Sequence, residues 1–421
     1  MGLIERDKRH IWHPLTQHKI SAAPKGIVKA KDALLWDENG KEYIDGIASW
    51  YTAMYGHCNE HIIAAVGQQM RQLDQVMFTG FTHEPAVQLS EKLMGILPAN
   101  QQKIFFNDNG STAVEAAIKM ALQYYFNRGE KRTTLIAFEN GFHGDTFGAM
   151  SVSGLSVYNG PFEDFFIDVQ RISVPMGTNN LTVLSELKTM IAENDCAAFI
   201  YEPLVQGAAG MKIHNAEGLN ALLKYCKEQK VITIADEVMT GFGKTGKHFA
   251  SLYMDAAPDI ICLGKSLTAG MITMSITSCT QEIYNAFLDD SIAKAFFHAH
   301  TYSANPLACA AAIAGIDLLN SKEMKEHIVR IENKHRKFIL DHSKRPEFLS
   351  IQSIGVILSI QLNISTERYG SLRNTLYEFY MENGVCLRPL GNTIYVLPPF
   401  VITNKQLDKI YEVILASLKL L

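Results

Sequence analysis

The stretch from Val231 to Leu267 constrains the fold more than any other part of the chain. Val231–Ala235 (VITIA) and Ile260–Leu263 (IICL) are short β-rich runs in which apolar and polar residues do not alternate. Strands covered on both faces read this way, which places them inside a parallel sheet under helices. Each run ends in polar residues. Asp236 and Glu237 close the first, and Lys265, between Gly264 and Ser266, follows the second. A glycine-rich turn (Gly241, Gly243, Gly246) lies between them. A single Asp or Lys at a strand end is most simply a solvated polar tip; the combination at neighbouring strand ends favours a site.

The alternation of strands and helices extends on both sides. Further strand candidates are Ile104–Phe106, Thr134–Phe138, Ala197–Tyr201 and Thr273–Ser278, with helices over Thr112–Phe126, 181–194 and 216–229. The expectation is an α/β fold with a largely parallel sheet, whose ligands bind at the carboxyl ends of the strands. Residues 1–47 read as an arm and a hairpin, Ala33–Asp37 and Glu42–Ile44 around the turn Glu38-Asn39-Gly40. Helices are expected at His61–Leu73 and Glu84–Leu97, and past Asn305-Pro306 at Leu307–Leu319 and 322–342. A small α+β unit follows, with strands near Ile351–Leu362 and Ile394–Leu397 and helices at 371–383 and 404–420. A chain of 421 residues is too long for one core. The expected division is a large domain, 48–320, and a smaller α+β domain built from both termini, 1–47 and 321–421.

A net charge of −4 gives no electrostatic reason to expect nucleic acid or an anionic membrane as partner. Seven cysteines are scattered without a CxxC pair, which argues against a disulfide framework or a zinc site and for a reducing compartment. Cys196 and Cys262, in or beside apolar runs, read as buried thiols. The N-terminus MGLIERDKRHIWHP lacks an apolar h-region, and no uncharged run reaches transmembrane length, so a cytoplasmic protein is expected.

Several further residues stand where chemistry is done. Asn109-Gly110-Ser111-Thr112 precedes a helix, whose free amides and dipole suit a phosphate. The plainer reading is an N-cap, with Thr112 and Glu115 at capping-box spacing. Phe142, in Asn140-Gly141-Phe142-His143-Gly144-Asp145, is placed to stack on a planar group or simply to pack. Glu202 ends a strand. His298 and His300 would face the same way in a strand, but no third metal ligand is near in sequence, so no metal is expected. Thr301 could donate its hydroxyl to a phosphate. Arg388, between Leu387 and Pro389, suits a carboxylate or a structural salt bridge. Trp12 and Trp50-Tyr51 either line an apolar channel or pack. A lysine for a Schiff base and an aspartate to keep a pyridine nitrogen protonated are what pyridoxal 5'-phosphate requires. A dinucleotide-binding oxidoreductase is disfavoured, because no GxGxxG follows the first strand.

With these residues in view, the sequence resembles the class III aminotransferases of fold type I. The motif is Asp236-Glu237-Val238-Met239-Thr240-Gly241-Phe242-Gly243-Lys244-Thr245-Gly246 followed by Lys265. Within the class, four segments are similar to the branch of biotin biosynthesis that converts 8-amino-7-oxononanoate to 7,8-diaminononanoate. They are His10-Ile11-Trp12-His13-Pro14, Asp45-Gly46-Ile47-Ala48-Ser49-Trp50, Gly144-Asp145-Thr146-Phe147-Gly148-Ala149-Met150 and Asn305-Pro306-Leu307-Ala308-Cys309-Ala310-Ala311. The resemblance implies pyridoxal phosphate bonded to Lys265, its ring nitrogen on Asp236, its phosphate at Gly110 and Ser111, and its ring under Phe142. It implies a homodimer with shared sites, Ala299, His300 and Thr301 reaching the neighbouring subunit's phosphate. Trp50 and Arg388 would bind the oxo-acid. Leu15 stands where an aromatic, usually Tyr, aids substrate recognition in members that use S-adenosylmethionine. The resemblance implies S-adenosylmethionine as amino donor, while Phe142 in place of Tyr, Lys244 in place of Arg and His300 in place of Pro make lysine the other option. An ω-amino acid aminotransferase of the GABA, ornithine or pyruvate type would share the cofactor residues.

Overall fold

Seven strands form the central sheet: β1 (Gln101–Asn107), β2 (Thr134–Phe138), β3 (Val169–Ile172), β4 (Cys196–Tyr201), β5 (Ile232–Asp236), β6 (Ile260–Leu263) and β7 (Ser275–Thr280), in the order β1-β7-β6-β5-β4-β2-β3. This computed structural model describes residues 2–154, 159–366, 368 and 370–421. Every residue of β2, β4, β5 and β6 is buried, as their unbroken runs predict. The pairs from β6 through β5, β4 and β2 to β3 are parallel, whereas β7 runs antiparallel to both β6 and β1. β7 begins two residues later than expected. Its reversal brings Ser275, at its start, opposite Asn107, at the end of β1.

Helix α1 (Gly110–Asn127) packs on this sheet through a face of small residues, Ala113, Ala116, Ala117 and Ala121, which are fully buried. Small side chains let the helix backbone sit close to the strands, so its N-terminus stays level with their carboxyl ends. α2 (Phe147–Ser151) follows β2. α3 (Pro306–Asn320) starts at a proline, with the Asn305 side chain accepting from the amides of Leu307 and Ala308. α4 (Lys322–His342) then leads out to the C-terminal strands.

The chain's two ends meet in a four-stranded sheet of Ile27–Lys31, Leu34–Asp37, Glu42–Asp45 and Val385–Cys386, the last two paired in parallel through Val385–Ile44. The single strand expected over 351–362 is instead a hairpin, Phe348–Ile354 and Ile357–Leu362, joined by Thr393–Val396 in a three-stranded sheet. Its turn is Gly355, with φ +54°, where a Cβ would stand 2.3 Å from the backbone of Thr245. Only glycine fits. The next amide, Val356, donates to the carbonyl of Lys244 (2.9 Å), tying the hairpin to the glycine-rich turn after β5. The helix Leu3–His10 and strands Ile27–Lys31 and β3 are present without having been expected, because their short amphipathic patterns are weak signals. All seven cysteines are free thiols, and Cys196 and Cys262 are buried as anticipated.

Candidate active site

Asp236 ends β5, the middle strand, and is almost fully buried. His143 Nδ1–H donates to its Oδ2 (2.7 Å) and the amide of Val238 to its Oδ1 (3.1 Å). Glu202, one residue past β4, is equally buried. Its two oxygens accept the amides of Phe142 (3.1 Å) and Gly207 (3.0 Å). Burial, reinforced by the nearby Asp236 and opposed by His143, pushes the Glu202 carboxyl up to about 7. The neighbouring Glu237 has a different task. It accepts the Thr240 hydroxyl (2.5 Å) and the amides of Ala250 (3.0 Å) and Ser251 (2.6 Å), which fixes the turn.

Lys265 follows β6 in a left-handed conformation, φ 48°. Burial lowers its pKa, while the charges of Asp236 and Glu202 hold against that shift. Its ammonium lies 5.4 Å above the ring of Tyr51. A Cβ at Gly264 would stand 3.6 Å from the Cα of Gly110, so the strand end carrying Lys265 abuts the N-terminus of α1. There Asn109 and Thr112 cap each other reciprocally. The expected Thr112–Glu115 capping box does not form. Glu115 instead crosses to α2, accepting the amides of Gly148 (2.8 Å) and Ala149 (3.1 Å) and the Thr146 hydroxyl (2.5 Å). The amides of Gly110 and Ser111 have no partner inside their own helix and carry the positive end of its dipole. Ser111 is backed by Gly144, φ +134°, where a Cβ would fall 2.1 Å from the Ser111 hydroxyl.

At the mouth, Ala48, Ser49, Trp50 and Tyr51 all have positive φ (46°, 45°, 70° and 70°), making one left-handed turn closed by Tyr51 N to Ile47 O (2.9 Å) and Thr52 N to Ala48 O (2.9 Å). Such residues each cost roughly 1–2 kcal/mol against ordinary backbone, so the surroundings must hold the turn. It displays Trp50, 42% exposed, with the guanidinium of Arg388 5.0 Å from its ring. Its next residue, Tyr51, is the one beneath Lys265, and the Tyr51 carbonyl accepts the Ser266 hydroxyl (2.8 Å). Phe142, also 42% exposed, borders a cleft of about 360 Å³ shared with Asp145, Met150, Lys212 and Arg368. A larger open groove of about 850 Å³ runs along α4, and none of these site residues lines it.

The structure brings Asp236, Lys265, Glu202, Phe142, Gly110 and Ser111 together, with Trp50 and Arg388 in contact. Leu15, Ala299, His300 and Thr301 take part in none of these contacts. Leu15 is 56% exposed on the N-terminal arm, where Trp12 is 90% exposed rather than packed. Ala299 and Thr301 are exposed. His298 and His300 are in irregular chain, not a strand; their Nε2 atoms are 3.1 Å apart, and His300 Nδ1 is 3.5 Å from Asp108. Among the described residues no group of three or more His, Cys, Asp or Glu is arranged to hold a metal. Lys244 is fully buried, donating to Gly241 O (2.9 Å); burial and then the charge of Lys265 drive its pKa well down. His143 carried no expectation of a role, being signalled only as a histidine in a glycine-flanked loop at a strand's carboxyl end. Tyr51, expected with Trp50 to line a channel or to pack, lies under the Lys265 ammonium.

This arrangement has relatives. The family profile "Aminotransferase class-III" matches residues 17–418. The adenosylmethionine-8-amino-7-oxononanoate aminotransferase of Synechococcus elongatus is 40% identical over 417 residues, covering 96% of this chain and 97% of its own. The crystal structure of the enzyme of that name from Methanocaldococcus jannaschii superposes with a TM-score of 0.93 at 33% identity, covering 98% of each chain. An amine transaminase from an uncultivated Pseudomonas species, solved in its PLP-bound form, gives 0.91 at 26%, covering 97% of this chain and 98% of the other. The expected α/β architecture is the one these transaminases share. With its profile matched almost end to end, the chain belongs to the class III aminotransferases.

Proposed function

We propose that this chain is a pyridoxal phosphate-dependent aminotransferase that converts 8-amino-7-oxononanoate to 7,8-diaminononanoate, with S-adenosylmethionine as amino donor. The observation that carries the reading is the cluster at the sheet's carboxyl edge. A pKa-depressed lysine lies between a buried Asp–His pair and a free helix N-terminus. The donor set fits the cofactor: an anionic acceptor for a protonated ring nitrogen, an amine for its carbonyl carbon, and helix amides for its phosphate. When bound, the cofactor supplies the electron sink that lets an amino group leave one carbon and arrive on another.

The chain's own residues supply the rest. Asp236, fixed by His143, would hold a proton on the ring nitrogen. Lys265 would hold the cofactor through its amine, and that amine, lowered in pKa by burial, would serve as the base for the proton at the donor Cα. Gly110 and Ser111 would hold the phosphate, and Phe142 would cover the ring. Arg388, lying over Trp50, takes the carboxylate of the oxo-acid with a fork that a lysine lacks.

Thr301, with Ala299 and His300, reaches the phosphate site of a second copy in a homodimer with shared sites. Supporting this, Phe297 and Tyr302 expose large apolar surface on the same segment. The pairing of Glu42–Asp45 with Val385–Cys386 supports a small domain formed from residues 1–47 and 321–421 beside the large one at 48–320. No described helix is long and apolar enough to cross a membrane; we take the enzyme to work in the cytoplasm without nucleic acid.

Lysine as donor is the second reading. It is favoured by Leu15 and Phe142, which present no hydroxyl, and by Lys244 and His300. Half-reactions followed by cofactor absorbance, with S-adenosylmethionine and then lysine as sole donor, decide between the two. Acceptor assays with 8-amino-7-oxononanoate, pyruvate and α-ketoglutarate test the substrate. Turnover with the last two and none with the first would replace the proposal by an ω-amino acid aminotransferase.

A further inference from the structure

Asp45 ends the strand Glu42–Asp45 and has no exposed surface. Its Oδ1 accepts the amide of Ile47 (3.1 Å). Its Oδ2 accepts the amide of Ser49 (2.8 Å), the hydroxyl of Ser49 (3.1 Å) and Nε2–H of His57 (2.8 Å). A carboxylate taken out of water persists only where donors replace it, and these donors flank or belong to the left-handed turn at Ala48–Tyr51.

His57 is fixed as firmly as the group it serves. Its backbone pairs with Asp32 in both directions (2.8 and 3.0 Å), while Asp45 N donates to Ala33 O (2.8 Å) one residue along. Gly46 N donates to Cys386 O (3.1 Å), two residues before Arg388. The turn that displays Trp50 and the segment that carries Arg388 are therefore mounted on one small sheet.

We propose that Asp45 and His57 are positioning residues for the acid-binding end of the site. Their hydrogen bond holds Ala48–Tyr51 left-handed, so that Trp50 lies against Arg388. Without it the turn relaxes towards ordinary backbone and Trp50 swings off the guanidinium. The inference rests on Arg388 as the carboxylate clamp. It predicts a defect confined to substrates that carry the carboxylate.

The test uses the full-length enzyme with Trp12→Phe and Trp36→Phe, leaving Trp50 as the sole tryptophan. Asp45→Asn and His57→Leu are compared with His57→Gln, which keeps an N–H donor; should Asp45→Asn fail to fold, the His57 pair carries the comparison. Expected in the cofactor-free protein are a shifted Trp50 emission and stronger acrylamide quenching for Asp45→Asn and His57→Leu. In the holoenzyme, KM for 8-amino-7-oxononanoate should rise about tenfold, with kcat and the KM of its methyl ester within about twofold of the parent. His57→Gln should restore most of the difference. Unchanged Trp50 emission overturns the proposal, as does an unchanged acid-to-ester preference in variants whose emission has shifted. Arg388→Ala separates the two readings. If it leaves the acid-to-ester preference intact, the clamp assignment fails, and Trp50 emission alone decides the roles of Asp45 and His57.

Discussion

His143 Nδ1 and Asp236 Oδ2 lie 2.7 Å apart in a setting with almost no solvent. The pair joins the loop after β2 to the end of β5 across the intervening β4, so this hydrogen bond, with that from the Val238 amide, sets the direction of the carboxylate. His143→Leu should leave Asp236 short of a donor, at a cost of about 1–3 kcal/mol. Turnover should drop roughly tenfold or more, while absorbance of the bound cofactor persists. Steady-state kinetics with a cofactor titration checks this; a variant with parental kcat shows the contact to be merely structural.

Lys265 is held below its ordinary pKa by burial. A base whose folded pKa lies under its unfolded value, here 10.5, costs the fold stability at neutral pH, and the cost fades as pH climbs from the folded pKa towards 10.5 and is gone above it. Lys265→Met should abolish turnover yet stabilise the cofactor-free protein at pH 7 by about 0.5–2 kcal/mol. Denaturant melts at pH 7, beside an activity assay, measure both effects. A less stable variant contradicts the expectation.

Glu202 is a carboxyl raised by burial from 4.5 to about 7. Its folded pKa exceeds its unfolded one, so its contribution is fully present below pH 4.5 and is lost as pH climbs through about 7. That gap corresponds to roughly 3 kcal/mol for a group this buried. Glu202→Gln cannot ionise. It should flatten the decline in stability of the cofactor-free protein over this window, while losing about 1–2 kcal/mol at the acidic end, because an amide accepts at only one end. Melting temperatures across the pH range give the comparison, and parallel curves for the two proteins would count against it.

Gly144 has φ +134° and leaves no room for a Cβ beside Ser111. Gly144→Ala should cost about 1–3 kcal/mol in backbone strain and push the Ser111 hydroxyl from its place. Pyridoxal phosphate affinity should fall at least about tenfold, read by absorbance titration of the apoenzyme. Unaltered affinity at reduced stability would place Ser111 outside the phosphate site.

The sequence alone determined the buried middle strands of the sheet and which polar residues end them. Val231–Ala235 and Ile260–Leu263 announce buried parallel strands because full burial requires an unbroken apolar run, and polar residues just beyond such strands must gather at one edge. Asp236, Lys265, Gly110 and Phe142 were therefore legible as residues, and their shared edge as a place. Tertiary structure decided what pairs with what. Glu115 stands at capping-box spacing yet caps a different helix, because a carboxylate reaches any free amides the fold sets before it. His143 acquires its partner, and Trp50 its left-handed turn against Arg388, through contacts between segments far apart in sequence. Periodicity reports how one segment faces the core; which side chains meet across segments is fixed only when the sheets and helices pack.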